Sequence, residues 1–154
     1  MTTIRLSGSQ SLLCVLALML VLTPIGAAAA DREHATSGWR LVNFWSEWCG
    51  PCRKEIPMLN ALSEELSVHA IEIVGVNFDD SPRAETLQIA SRLGIEFPTL
   101  SRDERNALSL RPPDVMPTTY ILAPGNETVG SLIGLQTRDA IVSRLKQLGA
   151  LTNP

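Results

Sequence analysis

The feature that most constrains this chain is a pair of cysteines, Cys49 and Cys52, separated by Gly50 and Pro51. An apolar, aromatic run precedes the pair, and apolar residues with helical spacing follow it. A thiolate in the first turn of a helix meets unpaired backbone N–H groups and the positive end of the helix dipole, so its charged form is favoured. Two cysteines at this spacing also close a small disulfide ring. The pattern therefore predicts a reversible two-electron thiol–disulfide switch.

Two other interpretations of the cysteine pair are a structural zinc site and a structural disulfide. A zinc site needs four ligands, and the remaining candidates are Cys14, His34 and His69, which match no ligand motif. A disulfide that closes so short a loop restricts the unfolded chain little, so it is a poor stabiliser. We therefore expect no metal, and no cofactor other than the redox-active cysteine pair.

Residues 1–30 have the pattern of an export signal. Arg5 provides the positive start, residues 12–25 provide the apolar centre, and Ala28, Ala29 and Ala30 form a small-residue cleavage site before Asp31. The alternative is a retained membrane anchor at the N-terminus, although the apolar run is short for a span of about 20 residues. Both interpretations predict a periplasmic or other extracytoplasmic location.

The charge of the chain argues against nucleic acid as a partner. The 154 residues carry a net charge of −3, and loss of Arg5 with the export segment would make the remainder more acidic. A nucleic-acid-binding domain is expected to present a basic patch instead. The chain beyond the export segment is long enough for one hydrophobic core, and we expect one domain over residues 39–150.

The order of the hydrophobic patterns predicts an α/β domain. A near-continuous apolar run at residues 71–78 fits a central parallel strand. Ser81 is expected to cap the next helix, with Pro82 as its first residue. The inward residues of that helix are expected to be Ala84, Leu87, Ala90 and Leu93. In chain order we predict a strand at 39–45, a helix at 50–66, a strand at 71–78, a helix from 82, a short strand at 97–100, a short helix at 104–110, a strand ending at 122, a hairpin strand at 128–133 and a last helix capped by Thr137.

Residues 44–52, with Pro57 five positions after the second cysteine, resemble the active-site segment of thioredoxin. The run from Met116 to Thr119 resembles the cis-proline loop of the same family. The surplus of residues between these two segments, the sequence from Cys52 to Pro57 and the export signal resemble the TlpA/ResA/CcmG branch of exported thioredoxin-like proteins. The resemblance implies a thioredoxin fold, with a central mixed sheet flanked by helices. It also implies a TlpA-type insertion between the active-site helix and the cis-proline loop.

The resemblance also assigns roles to the residues around the cysteines. Cys49 is expected to be the exposed nucleophile, and the more buried Cys52 is expected to resolve the mixed disulfide. Thioredoxins carry an aspartate where this chain has Asn43, and an amide cannot take a proton from Cys52. Glu55, one helical turn after Cys52, matches the glutamate of the exported branch and is the candidate proton relay. The alternative for Glu55 is an ordinary solvated charge on the helix.

A second group of residues is expected to contact the partner protein. Trp48, Gly50 and Pro51 surround Cys49, and Pro117 is expected to be cis, with the backbone of Met116 available to pair with a partner peptide.

These features together predict an exported thiol–disulfide oxidoreductase that reduces client disulfides. By analogy with the TlpA/ResA/CcmG branch, its electron donor would be a membrane thiol relay, and its clients would belong to cytochrome c maturation or copper-site assembly. A Cu(I)-binding chaperone and a disulfide-forming oxidant are the alternatives. A thiol peroxidase is disfavoured because no Pro-x-x-x-Thr/Ser-x-x-Cys sequence ends at Cys49.

Overall fold

A computed structural model describes residues 38–152 of the chain, so the export signal expected at residues 1–30 lies outside the described residues. Within the described range, no helix is both long enough and apolar enough to cross a membrane. The elements are β1 (Trp39–Trp45), α1 (Gly50–Ser67), β2 (Ile71–Asn77), α2 (Arg83–Arg92), α3 (Arg102–Ala107), β3 (Thr118–Leu122), β4 (Thr128–Ile133) and α4 (Arg138–Gln147).

The strands of this region form one mixed sheet in the order β2-β1-β3-β4. β1 runs parallel to β2, with Trp39 opposite Ile71 and Trp45 opposite Asn77. β3 pairs with β1 in the antiparallel direction, and β4 completes a hairpin with β3. The predicted α/β class and the predicted hairpin are both confirmed.

The position of β2 differs from the prediction, because β2 lies at an edge of this sheet and not at its centre. Its residues are nevertheless almost all buried. The segment at 97–100 covers its outer edge, with Gly75 N–H donating to the Pro98 carbonyl at 2.7 Å and Leu100 N–H donating to the Gly75 carbonyl at 2.8 Å. Only a single bridge forms there, between Gly75 and Thr99, and not the short strand that was predicted. Pro98 has no N–H to extend the pairing.

Helix α2 begins later than predicted and buries a different face. Pro82 occupies its N-cap position without a side-chain hydrogen bond, so the prediction of Ser81 as the cap was wrong. The buried residues are Thr86, Ile89 and Ala90, whereas Ala84 and Leu87, which were expected to face inward, are exposed. The Thr86 hydroxyl donates to the Ser81 carbonyl at 3.0 Å, which satisfies a polar group on the inward face. A pattern of apolar residues alone cannot predict that a polar residue such as Thr86 is buried.

Helices α1 and α4 pack on the same hydrophobic core. Leu59 and Leu62 of α1 and Ile141 of α4 belong to one buried cluster with Leu41 of β1 and Ile121 of β3. The apolar residues that follow Cys52 at helical spacing are buried, as predicted, and in α4 Ile141 and Leu145 are buried whereas Ala140 is exposed. The middle of α1 is therefore fixed against the two central strands of the sheet, β1 and β3.

The close packing around Gly75 gives a first prediction. A Cβ at this position would lie 2.6 Å from Trp45 Nε1 and 3.1 Å from the Phe97 ring. Both rings are buried, so neither can move away easily, and we expect Gly75→Ala to lower the free energy of unfolding by about 2 kcal/mol. Gly130→Ala is the matched control, because its Cβ would meet only the flexible end of Arg144. Urea denaturation of both variants tests this, and equal losses of stability would contradict it.

Candidate active site

The two cysteines lie where β1 passes into α1, as a disulfide with 5.3 Å between the Cα atoms. Cys49 is the N-cap of the helix, and the backbone N–H of Cys52 donates to Cys49 Sγ at 3.2 Å. Pro51 lies in the first turn, where its missing N–H removes no helical hydrogen bond. The hydrogen bond from Cys52 N–H and the positive end of the helix dipole favour the Cys49 thiolate once the disulfide is reduced.

The exposure of Cys49 differs from the prediction. In the oxidised pair Cys49 is only 3% exposed and Cys52 1% exposed, so the expectation of an exposed Cys49 was wrong. The physical reason is packing, since both cysteines belong to a cluster with Trp45, Ile89 and Ala90. The residues beside Cys49 are nevertheless at the surface, namely Trp48, Gly50 and Pro51.

The loop before β3 lies against this cluster. The peptide bond between Met116 and Pro117 is cis, as the sequence predicted. Met116 is half-buried and packs against the cluster that contains the two cysteines, whereas Pro117 is buried. The Pro117 carbonyl accepts a hydrogen bond from Gly134 N–H at 2.8 Å, which fixes the loop to the end of β4. The motif at residues 49–52 and the cis-proline loop therefore lie side by side.

Glu55 is buried one helical turn after Cys52, with only 2% of its surface exposed. Its Oε1 accepts a hydrogen bond from Asn43 Nδ2 at 2.8 Å, and its Oε2 accepts one from the backbone N–H of Gln136 at 3.2 Å. Asn43 Nδ2 also donates to Thr119 Oγ1 at 3.0 Å. A solvated charge on the surface of the helix, the alternative interpretation of Glu55, does not fit these contacts.

The environment of Glu55 changes its acidity. Burial raises the pKa of the carboxyl above its ordinary value of 4.5, and the hydrogen bonds from Asn43 and Gln136 oppose part of that rise. A carboxyl with a raised pKa exchanges its proton closer to neutral pH than an exposed glutamate does. Burial and the direction of this pKa shift favour the predicted role of Glu55, one helical turn after Cys52, as a proton relay.

The exposed indole of Trp48 is held by a residue that the sequence reasoning missed. Trp48 Nε1 donates to Asp79 Oδ1 at 2.8 Å, and the Ser46 hydroxyl donates to Asp79 Oδ2 at 2.5 Å. The Phe78 ring meets Trp48 edge to face, with 6.1 Å between the ring centroids. Asp79 follows β2 just as Trp48 follows β1, and parallel strands end at the same edge of a sheet. The positions of Asp79 and Trp48 directly after two parallel strands could therefore have predicted from the sequence that they lie close together.

A family model matches this chain over residues 29–126, which is more than half of its length. The chain belongs to the AhpC/TSA family. The match to the AhpC/TSA family spans both cysteines, Glu55 and the cis-proline loop.

Two relatives and one solved structure show which proteins this chain is similar to. It is 28% identical to thiol-disulfide oxidoreductase ResA of Geobacillus kaustophilus, over 80% of this chain and 78% of that protein. It is 31% identical to thiol:disulfide interchange protein HelX of Rhodobacter capsulatus, over 85% of this chain and 73% of that protein. A crystal structure of a putative thiol:disulfide interchange protein DsbE from Chlorobium tepidum shares the fold with a TM-score of 0.58 and 21% identity, over 77% of this chain and 83% of that one. This member of the AhpC/TSA family is therefore a thiol–disulfide oxidoreductase with a thioredoxin-like fold.

The residues with predicted roles lie in one region of the structure. The structure brings together Cys49, Cys52, Met116 and Pro117, and it places Glu55 on the buried face of the same helix. The TlpA-type insertion stays a prediction, although α2 and the 97–100 segment lie in the interval expected for it.

Proposed function

We propose that this protein is an exported reductase of client disulfides that works through the Cys49–Cys52 dithiol. One arrangement supports the proposal most strongly: a disulfide at the N-terminus of α1, with a buried carboxyl one turn further along the helix. The dithiol itself carries the two electrons, so the reaction needs no further cofactor.

The first step is attack on the client by Cys49. In the reduced protein the Cys49 thiolate, favoured by the N–H groups of the first turn, attacks one sulfur of the client disulfide. A mixed disulfide forms between Cys49 and the client, and the other client sulfur leaves as a thiolate. Trp48 and the backbone of Met116 lie beside Cys49, where they contact the client during this step.

The second step is resolution by Cys52. Glu55 accepts the proton of the Cys52 thiol, and the resulting thiolate attacks Cys49 Sγ. The bond between Cys49 and the client breaks, the client leaves reduced, and the Cys49–Cys52 disulfide seen in the structure forms. The client disulfide has gained two electrons and the dithiol has lost them. A donor dithiol must then reduce the protein again.

The residues between the cysteines favour the reducing direction. Gly50 and Pro51 offer no charged or hydrogen-bonding side chain to stabilise a thiolate, so the dithiol form is not strongly favoured. We expect a reduction potential on the order of −250 mV or below. Equilibration of the purified protein with thiol buffers of known potential measures it. A value above about −150 mV would favour a disulfide-forming oxidant instead.

The export pattern and the named relatives support the cellular setting that we propose for the reaction. ResA and HelX are named as thiol-disulfide exchange proteins, and the resemblance to the TlpA/ResA/CcmG branch supports an extracytoplasmic location with a membrane thiol relay as donor. The same branch supports clients in cytochrome c maturation or copper-site assembly. Residues 1–30 would direct export, whether they are cleaved or retained as an anchor.

Trapping clients in the intact cell tests this proposal. Cys52→Ser removes the resolving thiol but leaves Cys49, so the mixed disulfide with a client cannot be released from within the protein. We expect exported proteins with cysteines to remain attached to Cys49 on non-reducing gels. The variant that lacks both cysteines is the matched control and traps nothing. Trapping of no exported protein by Cys52→Ser would contradict the reductase proposal.

A further inference from the structure

A basic groove lies beside the cysteine pair, lined by Gly50, Arg53, Lys54, Arg92 and Leu93. Gly50 is also part of the redox motif, so the groove begins one residue from Cys49. Arg53 and Lys54 are both exposed on the first two turns of α1. When a client polypeptide brings a disulfide sulfur to Cys49, the client residues next to that sulfur therefore lie close to Arg53 and Lys54.

The positive charge of this groove is not cancelled by nearby carboxylates. Within residues 38–152, the side chains of Arg53 and Lys54 form no ion pair. Arg92 pairs with Glu47 at 3.0 Å, and both side chains remain about half exposed. Glu55, although adjacent in sequence, is turned into the core and has a raised pKa. The groove thus keeps a net positive charge on a chain whose total charge is −3.

Some other basic residues of the described region are paired with carboxylates: Arg40 with Glu72, Arg102 and Arg105 with Asp80, and Arg138 with Glu65. Ion pairing alone does not distinguish the groove, because Arg83, Arg111, Arg144 and Lys146 also form no ion pair in that region. What distinguishes Arg53 and Lys54 is that they line a groove that includes Gly50 of the redox motif. The unpaired cations Arg53 and Lys54 beside Cys49 have two physical consequences. The cations add to the positive field of the helix N-terminus, and they attract an acidic segment of an approaching chain.

We infer that this groove selects client polypeptides that carry acidic residues next to the disulfide. This inference rests on the proposed function and names the class of client that the same site prefers. Carboxylates beside the client cysteine would be attracted by Arg53 and Lys54 before and during attack by Cys49. Because these cations are exposed, the attraction acts mainly on the rate of productive encounter and weakens with added salt.

Three matched peptides test the inference with the full chain. Each contains the same internal disulfide, flanked by aspartates, serines or lysines, and kcat/KM is measured for each peptide. At low salt we expect the acidic peptide to exceed the neutral one by about five-fold, and the ratio to approach one near 1 M salt. Lys54→Glu is expected to bring the low-salt ratio to about one or below. Using the ratio removes any effect of the substitution on the reactivity of Cys49 itself.

The chain has one other lysine, and it serves as the matched control. Lys146 lies in the last turn of α4, is exposed and forms no ion pair in the described region. Lys146→Glu changes the net charge by the same amount, so the acidic-to-neutral ratio is expected to stay at the wild-type value. An unchanged ratio in folded Lys54→Glu would overturn the inference, and so would an equal loss in both variants.

A binding measurement separates this inference from the proposed function. Labelled acidic and neutral peptides without cysteine are titrated with the wild-type chain and with Lys54→Glu, and fluorescence anisotropy is recorded. Tighter binding of the acidic peptide, lost in Lys54→Glu, supports the groove even if no disulfide is reduced. Equal binding of both peptides would overturn it. Lys54-dependent binding to vesicles of anionic lipid, without any preference among peptides, would also overturn it.

Discussion

Replacing Cys49 by serine is expected to lower the rate of disulfide reduction by about a thousand-fold or more, to that of the uncatalysed exchange. A serine hydroxyl does not ionise near neutral pH, so no nucleophile remains at the N-cap of α1. Cys52 is not expected to replace it. Both sulfurs are almost fully buried in the oxidised pair, but Cys49 is the N-cap beside the exposed Trp48 and Gly50, whereas Cys52 lies on the buried face of the helix. Thiol release from a peptide disulfide, with the protein as reduced dithiol, measures the effect.

Cys52→Ser provides the contrast for this first prediction. It keeps Cys49 at the helix N-terminus, so the first step proceeds and releases one client thiol per protein molecule. The reaction then stops at the mixed disulfide, because no second thiolate attacks Cys49. The two variants therefore fail at different steps although each lacks one cysteine. If Cys49→Ser kept a tenth of the wild-type rate, Cys49 would not be the nucleophile.

The parts of the fold that the sequence predicted correctly depend on strong local patterns. β1 has the predicted bounds, and α1 ends one residue beyond the prediction, because both carry apolar residues at regular spacing beside a distinctive motif. The edge position of β2 was not predictable in this way. A strand buried by a neighbouring loop at 97–100 has the same apolar sequence as a strand at the centre of a sheet.

The candidate site shows the same division between local and distant information. The cysteine pair and the cis bond before Pro117 follow from short motifs. The burial of Glu55 depends on Asn43 and on the backbone of Gln136, which are 12 and 81 residues away in sequence. The support of Trp48 by Asp79 spans 31 residues. Contacts of this kind come from the topology of the sheet and leave no periodic signal.

Glu55→Gln is expected to slow resolution of the mixed disulfide by about a hundred-fold at neutral pH. The amide cannot accept the proton of Cys52, and proton transfer by a positioned side chain usually contributes a factor of this size or more. The change keeps the shape of the side chain, although one of its two acceptor contacts, from Asn43 or from Gln136 N–H, is lost. A single-turnover assay follows release of the client from a preformed mixed disulfide at Cys49.

The pH dependence of that assay distinguishes a proton relay from a merely structural residue. In the wild type, the rate is expected to fall at low pH as Glu55 becomes protonated, and the variant is expected to lose this limb. Glu64→Gln makes the same change at an exposed position of α1 and is the matched control. If Glu55→Gln released the client at the wild-type rate, or if its rate still fell at low pH as in the wild type, Glu55 would not be the proton relay.

The same carboxyl is expected to affect the stability of the oxidised protein. Because burial raises the pKa of Glu55 above 4.5, the folded chain binds its proton more tightly than the unfolded chain does. The resulting stabilisation is fully present below pH 4.5 and is lost as the pH rises through the folded pKa. Glutamine does not titrate, so the free energy of unfolding of Glu55→Gln is expected to lack this decline. Urea denaturation across that window measures the difference, with Glu64→Gln expected to follow the wild type. Parallel curves for Glu55→Gln and the wild type would mean that Glu55 ionises like an exposed glutamate, and its burial would then have no part in proton transfer.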